Sequence, residues 1–279
     1  MELHFVKLTG AGNDFVGVNN LNNTLGDVDR NALARAVCDR HFGIGGDGLL
    51  VIDRSDRADF RMMYYNADGS LGGMCGNGGR CAAFYARTLG LTAEPLRFEA
   101  NDYVYEATFT ATAGVCLKMK DPRGIVRNIS VALTGGPVIV HAIDTGSPHV
   151  VQLVPDLTKV PVTELGRTLR EHDRFTPEGT NVNFVQRLEG NAIAMRTYER
   201  GVEAETLACG TGSIASSIIA HLELGLESPV LVRTWSGQCL HVRFTSTPGG
   251  ITEVRLEGPA IIVFEGRTLY DPAAKTLRN

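Results

Sequence analysis

The sequence predicts an α+β protein built from two similar halves, each a mixed set of strands around one central helix. Three observations predict it. The first is a copied motif. Met74-Cys75-Gly76-Asn77-Gly78-Gly79-Arg80 resembles Ala208-Cys209-Gly210-Thr211-Gly212-Ser213, and each cysteine precedes a small Gly-rich turn. The second is a near-constant offset. Cys75 and Cys209 stand 134 residues apart, and that offset pairs Gly12-Asn13-Asp14-Phe15 with Gly146-Ser147-Pro148-His149, and Tyr65-Asn66 with Glu199-Arg200. One residue less pairs Gly46-Asp47-Gly48 with Gly179-Thr180-Asn181. Four matches in order favour duplication over chance alignment, even among 32 glycines. The third is a strand-like apolar run beside each copied segment.

Taken in order, those runs are 5–8 (FVKL), 48–52 (GLLVI) and 60–65 (FRMMYY) in the first half, then 138–143 (VIVHAI), 183–188 (NFVQRL) and 192–198 (AIAMRTY) in the second. Helices are expected over 81–89 and 214–224, each opening out of its Cys-Gly turn. The stretches 103–120, 230–244 and 251–256 carry the β-branched and aromatic residues of strands. Asp121-Pro122-Arg123-Gly124 reads as a turn that crosses between the halves, and Gly258-Pro259 as another turn near the end.

Bulk properties narrow the function. A chain of 279 residues allows two ordinary domains. Its net charge is −4 with no run of lysine or arginine, so neither nucleic acid nor an acidic membrane surface is an expected partner. MELHFVKLTGAGNDF lacks the features of a signal peptide, and no stretch reaches the ~20 apolar residues of a membrane span. The expected location is the cytoplasm. Six cysteines in such a chain imply free thiols rather than a disulfide framework. No CxxC or Cys/His spacing suits a metal, so none is expected. Cys38, Cys116 and Cys239 read as inert packing residues, and Cys81 as structural on the apolar face of its helix. None of the five lysines lies in a copied motif, which argues against a Schiff-base cofactor.

The chemistry centres on Cys75 and Cys209. A helix start presents unpaired N–H groups and positive dipole charge, which lowers the pKa of a thiol placed there. Two such thiols acting on opposite faces of a carbon acid would invert its stereocentre, one removing a proton and the other delivering one. Backbone N–H groups of Gly76, Asn77, Gly210 and Thr211 would form two anion sites for the substrate carboxylate. Asn13, Asn66 and Asn181 offer neutral donors and acceptors, and Arg200 a planar fork for a second carboxylate. His149 and Glu199 would accept hydrogen bonds from a substrate ammonium group. Each of these residues alone is ordinary turn or surface chemistry; their recurrence beside the repeat singles them out.

The segments GAGNDF, YNADGS, CGNGGRC, TGSPH, GTNVNF, YERG and ACGTG occur in the order found in the diaminopimelate epimerase family, of the cofactor-independent amino-acid racemase superfamily. The resemblance covers nearly the whole chain. It implies two α/β domains related by a pseudo-twofold axis, spanning 1–121 with a returning segment 259–279, and 122–258. It implies Cys75 and Cys209 as the acid/base pair acting without cofactor. Asn13, Asn66, Asn181 and Arg200 would then hold the non-reacting end of a small-molecule substrate, and His149 and Glu199 would sit near the reacting amino group. A homodimer is one assembly the resemblance allows. Two positions depart from the common pattern: Gly48 stands where some members have Gln, and Ser147 where many have Asn. A backbone group or water would replace the missing Gln contact. A proline or hydroxyproline racemase of the same superfamily is the runner-up, though it has no distal carboxylate to engage Asn66, Asn181 and Arg200. A thiol redox or metal-binding protein is the non-enzyme alternative.

Overall fold

The computed structural model describes residues 1–110 and 114–278. It divides into two compact units: Met1–Leu117 with the segment from Gly258 onward, and Lys118–Glu257. The sequence reading draws these limits at 121 and 258. Residues 118–121 belong with the second unit because the Met119 N–H donates to the Val254 carbonyl and the Val254 N–H donates to Asp121.

The first unit contains β1 (Glu2–Gly10), β2 (Asn13–Asn19), α1 (Arg30–Cys38), β3 (Gly48–Asp53), β4 (Phe60–Asn66), α2 (Gly76–Thr88), β5 (Leu96–Ala100), β6 (Tyr103–Phe109) and β7 (Gly114–Lys118). Its returning segment adds β17 (Ile261–Asp271) and β18 (Thr276–Arg278). The lateral order is β18–β17–β1–β2–β3–β4–β5–β6, antiparallel except at β2–β3 and β4–β5. The second unit contains β8 (Arg123–Leu133), β9 (Gly136–Asp144), β10 (Pro148–Leu153), α3 (Val162–Arg170), β11 (Asn181–Arg187), β12 (Ala192–Glu199), β13 (Ala204–Thr206), α4 (Gly210–Leu224), β14 (Val230–Arg233), β15 (Cys239–Thr247) and β16 (Gly250–Pro259). Its order is β8–β9–β10–β11–β12–β14–β15–β16, with parallel pairs at β10–β11 and β12–β14. Counted from β17 in the first and from β8 in the second, the two orders match, parallel pair for parallel pair; β18 is an addition at the edge of the first.

Parallel neighbours cannot be joined by a hairpin and need a crossover. Each unit has two parallel pairs and two crossover helices: α1 and α2 in the first, α3 and α4 in the second. The sequence reading expects one helix per half and misses α1 and α3. Both are only nine residues long. Asp29 caps α1 by accepting the Ala32 N–H at 3.0 Å. On one face of the first sheet, Val16, Val18, Leu49 and Val51 pack with Leu33 and Val37 of α1. The alternate residues Phe15 and Leu50 reach toward Gly78 of α2. Strands covered on both faces have no solvent side, which is why GLLVI is apolar without alternation.

The central helices begin earlier than the sequence suggests, at Gly76 and Gly210 rather than 81 and 214. Glycine is a poor helix former, but here it permits close packing. A Cβ on Gly10 of β1 would lie 2.9 Å from Cys81 Sγ. Arg123 and Gly124 begin β8, and Gly258 and Pro259 end β16, so neither expected turn lies wholly outside strands. The stretch 103–120 contains β6 and β7; its residues 111–113 lie outside the described residues. Cys38, Cys81 and Cys116 are buried, but Cys239 is exposed at the start of β15 and is not a packing residue.

The repeat also needs one correction. Leu49 faces Tyr65 across β3–β4, and Val182 faces Tyr198 across β11–β12, both pairs 133 apart. Asn66 therefore corresponds to Glu199, and Arg200 lies one residue beyond.

A tight helix–strand contact in the second unit is at Gly166 of α3, where an added Cβ would lie 2.4 Å from Cβ of Tyr198. Gly166→Ala is expected to lower stability by about 1–3 kcal/mol through overpacking. Gly135→Ala, in open space, is expected to change it by less than about 0.5 kcal/mol. Urea unfolding of both variants checks this; equal midpoints would show that the contact yields freely.

Candidate functional site

In the first unit, Cys75 is the N-cap residue of α2, with extended backbone (φ −97°, ψ 119°). Its sulfur accepts the Gly78 N–H at 3.4 Å, and its carbonyl accepts the Gly79 N–H at 2.7 Å. Both contacts draw on amides that a helix start leaves unpaired. The N–H groups of Gly76 and Asn77 take no acceptor among the described residues. Cys209 does the same for α4 (φ −127°, ψ 115°). Its sulfur accepts the Gly212 N–H at 3.3 Å and lies 3.5 Å from Thr211 Oγ1. Its carbonyl accepts the Ser213 N–H at 2.9 Å, and the N–H groups of Gly210 and Thr211 take no acceptor among the described residues. Each unit thus presents a thiol and two adjacent free amides, a geometry suited to a carboxylate beside an acid/base group.

Asn13 joins the Cys75 turn. Asn77 Nδ2 donates to Asn13 Oδ1 at 2.7 Å, and Asn13 Nδ2 donates to Asp47 at 2.9 Å. Asp47 is braced by Arg40 at 2.8 Å, and Arg40 also forks onto Asp14. Burial alone would raise the Asp14 pKa, but bonds from Arg40 and Lys7 outweigh it and hold the carboxyl below its usual range. Asn66 is not hydrogen-bonded to this group. It closes its own turn, donating Nδ2 to Ser70 at 2.9 Å. It shares a lateral row with Gly48 and Phe15. The space beside Gly48 is closed by the Tyr64 ring and the Tyr65 carbonyl, which lie 2.4 and 2.5 Å from an added Cβ. Both a ring and a backbone carbonyl therefore stand where a longer side chain at this position would go.

In the second unit, parallel pairing sets His149 beside Asn181. Asn181 Nδ2 donates to Ser147 Oγ at 2.9 Å and to the Pro148 carbonyl at 3.0 Å, and its Oδ1 accepts the Arg200 N–H at 3.0 Å. The Arg200 guanidinium donates to the Glu178 carbonyl at 2.8 Å. Glu199 accepts from Thr206 Oγ1 at 3.0 Å. Thr145 Oγ1 donates to the Thr211 carbonyl at 3.0 Å, tying the β9–β10 turn to α4.

His149 departs from its expected role as an acceptor. Asn183 Nδ2 donates to the Val150 carbonyl at 3.0 Å and to His149 Nδ1 at 3.1 Å, while its Oδ1 accepts from Thr197. With Nδ1 accepting, the neutral ring carries its proton on Nε2, a buried donor without a partner among the described residues. Burial pushes the His149 pKa down to about 3, so the ring is neutral and suits an anionic oxygen.

Asp47, Tyr64, Arg80, Thr145 and Asn183 shape these sites and escape the sequence reading. Asp47 and Arg80 sit in segments that the repeat marks, whereas Arg40, the partner of Asp47, carries no repeat signal. Among the described residues no three His, Cys, Asp or Glu side chains gather as a metal site, and no helix is long and apolar enough to cross a membrane.

The fold is that of a known class. A phenazine biosynthesis protein of the PhzF family from Bacillus anthracis superposes with TM-score 0.74 at 15% identity, covering 96% of this chain and 99% of its own. A hydroxyproline epimerase from Agrobacterium vitis, solved with trans-4-hydroxy-L-proline bound, gives 0.70 at 15% identity, covering 97% and 92%. The duplicated unit, with its capped central helix, thus defines an epimerase-like fold. Sequence narrows the class. The diaminopimelate epimerase family model matches residues 5–119 and 141–254. Diaminopimelate epimerases from Chlorobaculum tepidum and Aquifex aeolicus are 41% and 40% identical over 263 and 274 residues, covering 93% and 95% of this chain and 98% and 97% of theirs. The chain belongs to the diaminopimelate epimerase family.

Because His149 is neutral when folded and titrates near the ordinary 6.5 when unfolded, the unfolded state binds more protons below pH 6.5. Stability contributed by this residue is therefore complete above pH 6.5 and is lost as pH falls toward 3. The slope is about 1.4 kcal/mol per pH unit. His149→Asn is expected to flatten the stability profile between pH 6 and 4 by roughly that slope. Denaturant titrations across this range check it; unchanged slopes would mean that His149 is already charged in the fold.

Proposed function

We propose that this chain converts LL-2,6-diaminopimelate to the meso form by a two-cysteine mechanism without cofactor, a step of lysine and peptidoglycan-precursor synthesis. The observation that carries this reading is the pair of cysteine N-caps, each beside two open helix amides. In the scheme, one sulfur enters as thiolate and takes the α-proton. The electron pair left on the α-carbon spreads into the adjacent carboxylate. The other sulfur enters as thiol and gives its proton to the opposite face. Composition is unchanged, and the two sulfurs exchange protonation states.

The chain's residues divide the remaining work. Amides of Gly76, Asn77, Gly210 and Thr211 stabilise charge that grows on the α-carboxylate. His149 Nε2 adds a neutral donor, and Glu199 accepts from the reacting ammonium group. Asn13, Asn66, Asn181 and Arg200 hold the distal amino-acid end, so that only one centre reacts. Asp47 and Asn183 fix which way the amide of Asn13 and the ring of His149 point, removing a reorganisation cost at the moment of reaction. The family match supports the substrate, and the free amides beside each thiol support the chemistry.

The test is solvent-deuterium incorporation. With either isomer in D₂O, deuterium is expected at the α-carbon of the newly formed isomer. Cys75→Ala and Cys209→Ala are each expected to lower turnover by about 10²–10⁴-fold. Near-normal epimerisation by either variant would defeat the two-base scheme.

Arg200→Lys keeps the charge and loses the planar fork. It is expected to cost about 1.5–3 kcal/mol in kcat/KM for diaminopimelate, and less for an analogue without the distal carboxylate. Equal losses on the two substrates would remove Arg200 from distal recognition and favour a proline-racemase type of specificity.

A further inference from the structure

Arg80 lies five residues beyond Cys75, in the second turn of α2, and is fully buried. Its guanidinium donates to Asn77 Oδ1 at 2.8 Å, to the Gly76 carbonyl at 3.4 Å and to the Pro259 carbonyl at 3.5 Å. All three acceptors are neutral. Among the described residues no carboxylate pairs with it. A buried charge without a counter-ion is costly, and a guanidinium does not relieve that cost by losing its proton.

The groups that could answer this charge are few. Charged residues on the strands packed against α2 are paired elsewhere or exposed. Lys7 of β1 pairs with Asp14 of β2, and Asp53 of β3 pairs with Arg30. Arg61 of β4 pairs with Glu99, and on β17 Glu265 is exposed, Arg267 lies near Glu2 and Asp271 pairs with Arg278. The ionisable groups that sense Arg80 are the Cys81 and Cys75 thiols. Burial pushes the Cys81 thiol up to about 12, so it stays neutral at physiological pH. Cys75 remains, and the guanidinium grips the two residues that immediately follow it, Gly76 and Asn77.

Among the described residues the second unit buries no such guanidinium. The residue 134 positions beyond Arg80 is Ile214, fully buried in α4. The two cysteines share a capping geometry but differ in what stands behind it.

We propose that Arg80 is a positioning residue: its sealed guanidinium takes the Cys75 thiolate as counter-ion, so that Cys75 rests as the base and Cys209 as the acid. A second consequence follows from the same contacts. Arg80 has only donors, so it fixes Asn77 Oδ1 toward itself. Asn77 Nδ2 must then face Asn13 Oδ1, and Asn13 Nδ2 must face Asp47. One buried cation thereby orients two amides of the binding site as well as the charge of the thiol. The inference rests on the two-cysteine reading given above, which the alanine variants test through turnover. Arg80 is tested through thiol ionisation, which does not depend on turnover.

The experiment is a pH titration of ¹³Cβ-cysteine NMR signals in the substrate-free protein, assigned with Cys75→Ser and Cys209→Ser variants. In the unaltered protein the Cys75 midpoint is expected below that of Cys209. Arg80→Met is expected to raise the Cys75 midpoint by about one to three pH units, the span an adjacent opposite charge commands, and to leave Cys209 where it was. Arg80→Lys is expected to restore most of the shift, as a purely space-filling role would not. A Cys75 midpoint unmoved in Arg80→Met, or a Cys209 midpoint below that of Cys75 in the unaltered protein, would overturn the proposal. If Arg80→Met does not fold, the order of the two midpoints in the unaltered protein decides the question.

Discussion

At the start of α2 and again of α4, a cysteine sulfur accepts the third amide of the helix, and the first two amides stay open. Most of the surrounding structure serves that contact. A serine or aspartate would cap a helix more strongly, but neither oxygen would be a proton carrier near neutral pH. The thiol accepts a weaker cap in exchange for acid/base chemistry, and the packing of the helix must hold what the cap does not. That accounts for burial along nearly all of α4, from Gly210 to Ala220, a pattern expected of a helix enclosed on every side.

The topology supplies the enclosure. Two parallel strand pairs in each unit require two crossovers, and the second of each set carries the cysteine. Small residues let these helices sit close to the strands: Gly10 of β1 has no room for a Cβ against Cys81, and Gly212 has none against Asn183 Oδ1. The last of these contacts joins packing to chemistry. The same Asn183 amide that fits beside Gly212 also sets the tautomer of His149.

Duplication has left the two units alike in strand order and unlike in polar detail. On one side are the Arg80–Asn77–Asn13–Asp47 chain and a tyrosine ring beside Gly48. On the other are the neutral His149–Asn183–Thr197 set and Arg200 at the end of β12. These differences lie in side chains rather than in backbone.

The sequence by itself determined the duplication, the two Cys-Gly helix starts and the main strands. These signals are local: a Gly-rich turn after a cysteine, an apolar run, a repeated spacing. It left α1 and α3 unread because nine residues make little more than two helical turns, and the parallel strand pairs that demand these crossovers show only in the sheet. It placed Asn66 opposite Arg200, since a one-residue slip between β3 and its counterpart shows only in strand register. The tertiary structure alone decided that His149 donates rather than accepts, that Tyr64 fills the space beside Gly48, that Cys239 is exposed, and that Arg80 is buried without a carboxylate. Each of these depends on atoms brought together from distant parts of the chain, and a hydrogen bond or a missing counter-ion exists only once they meet.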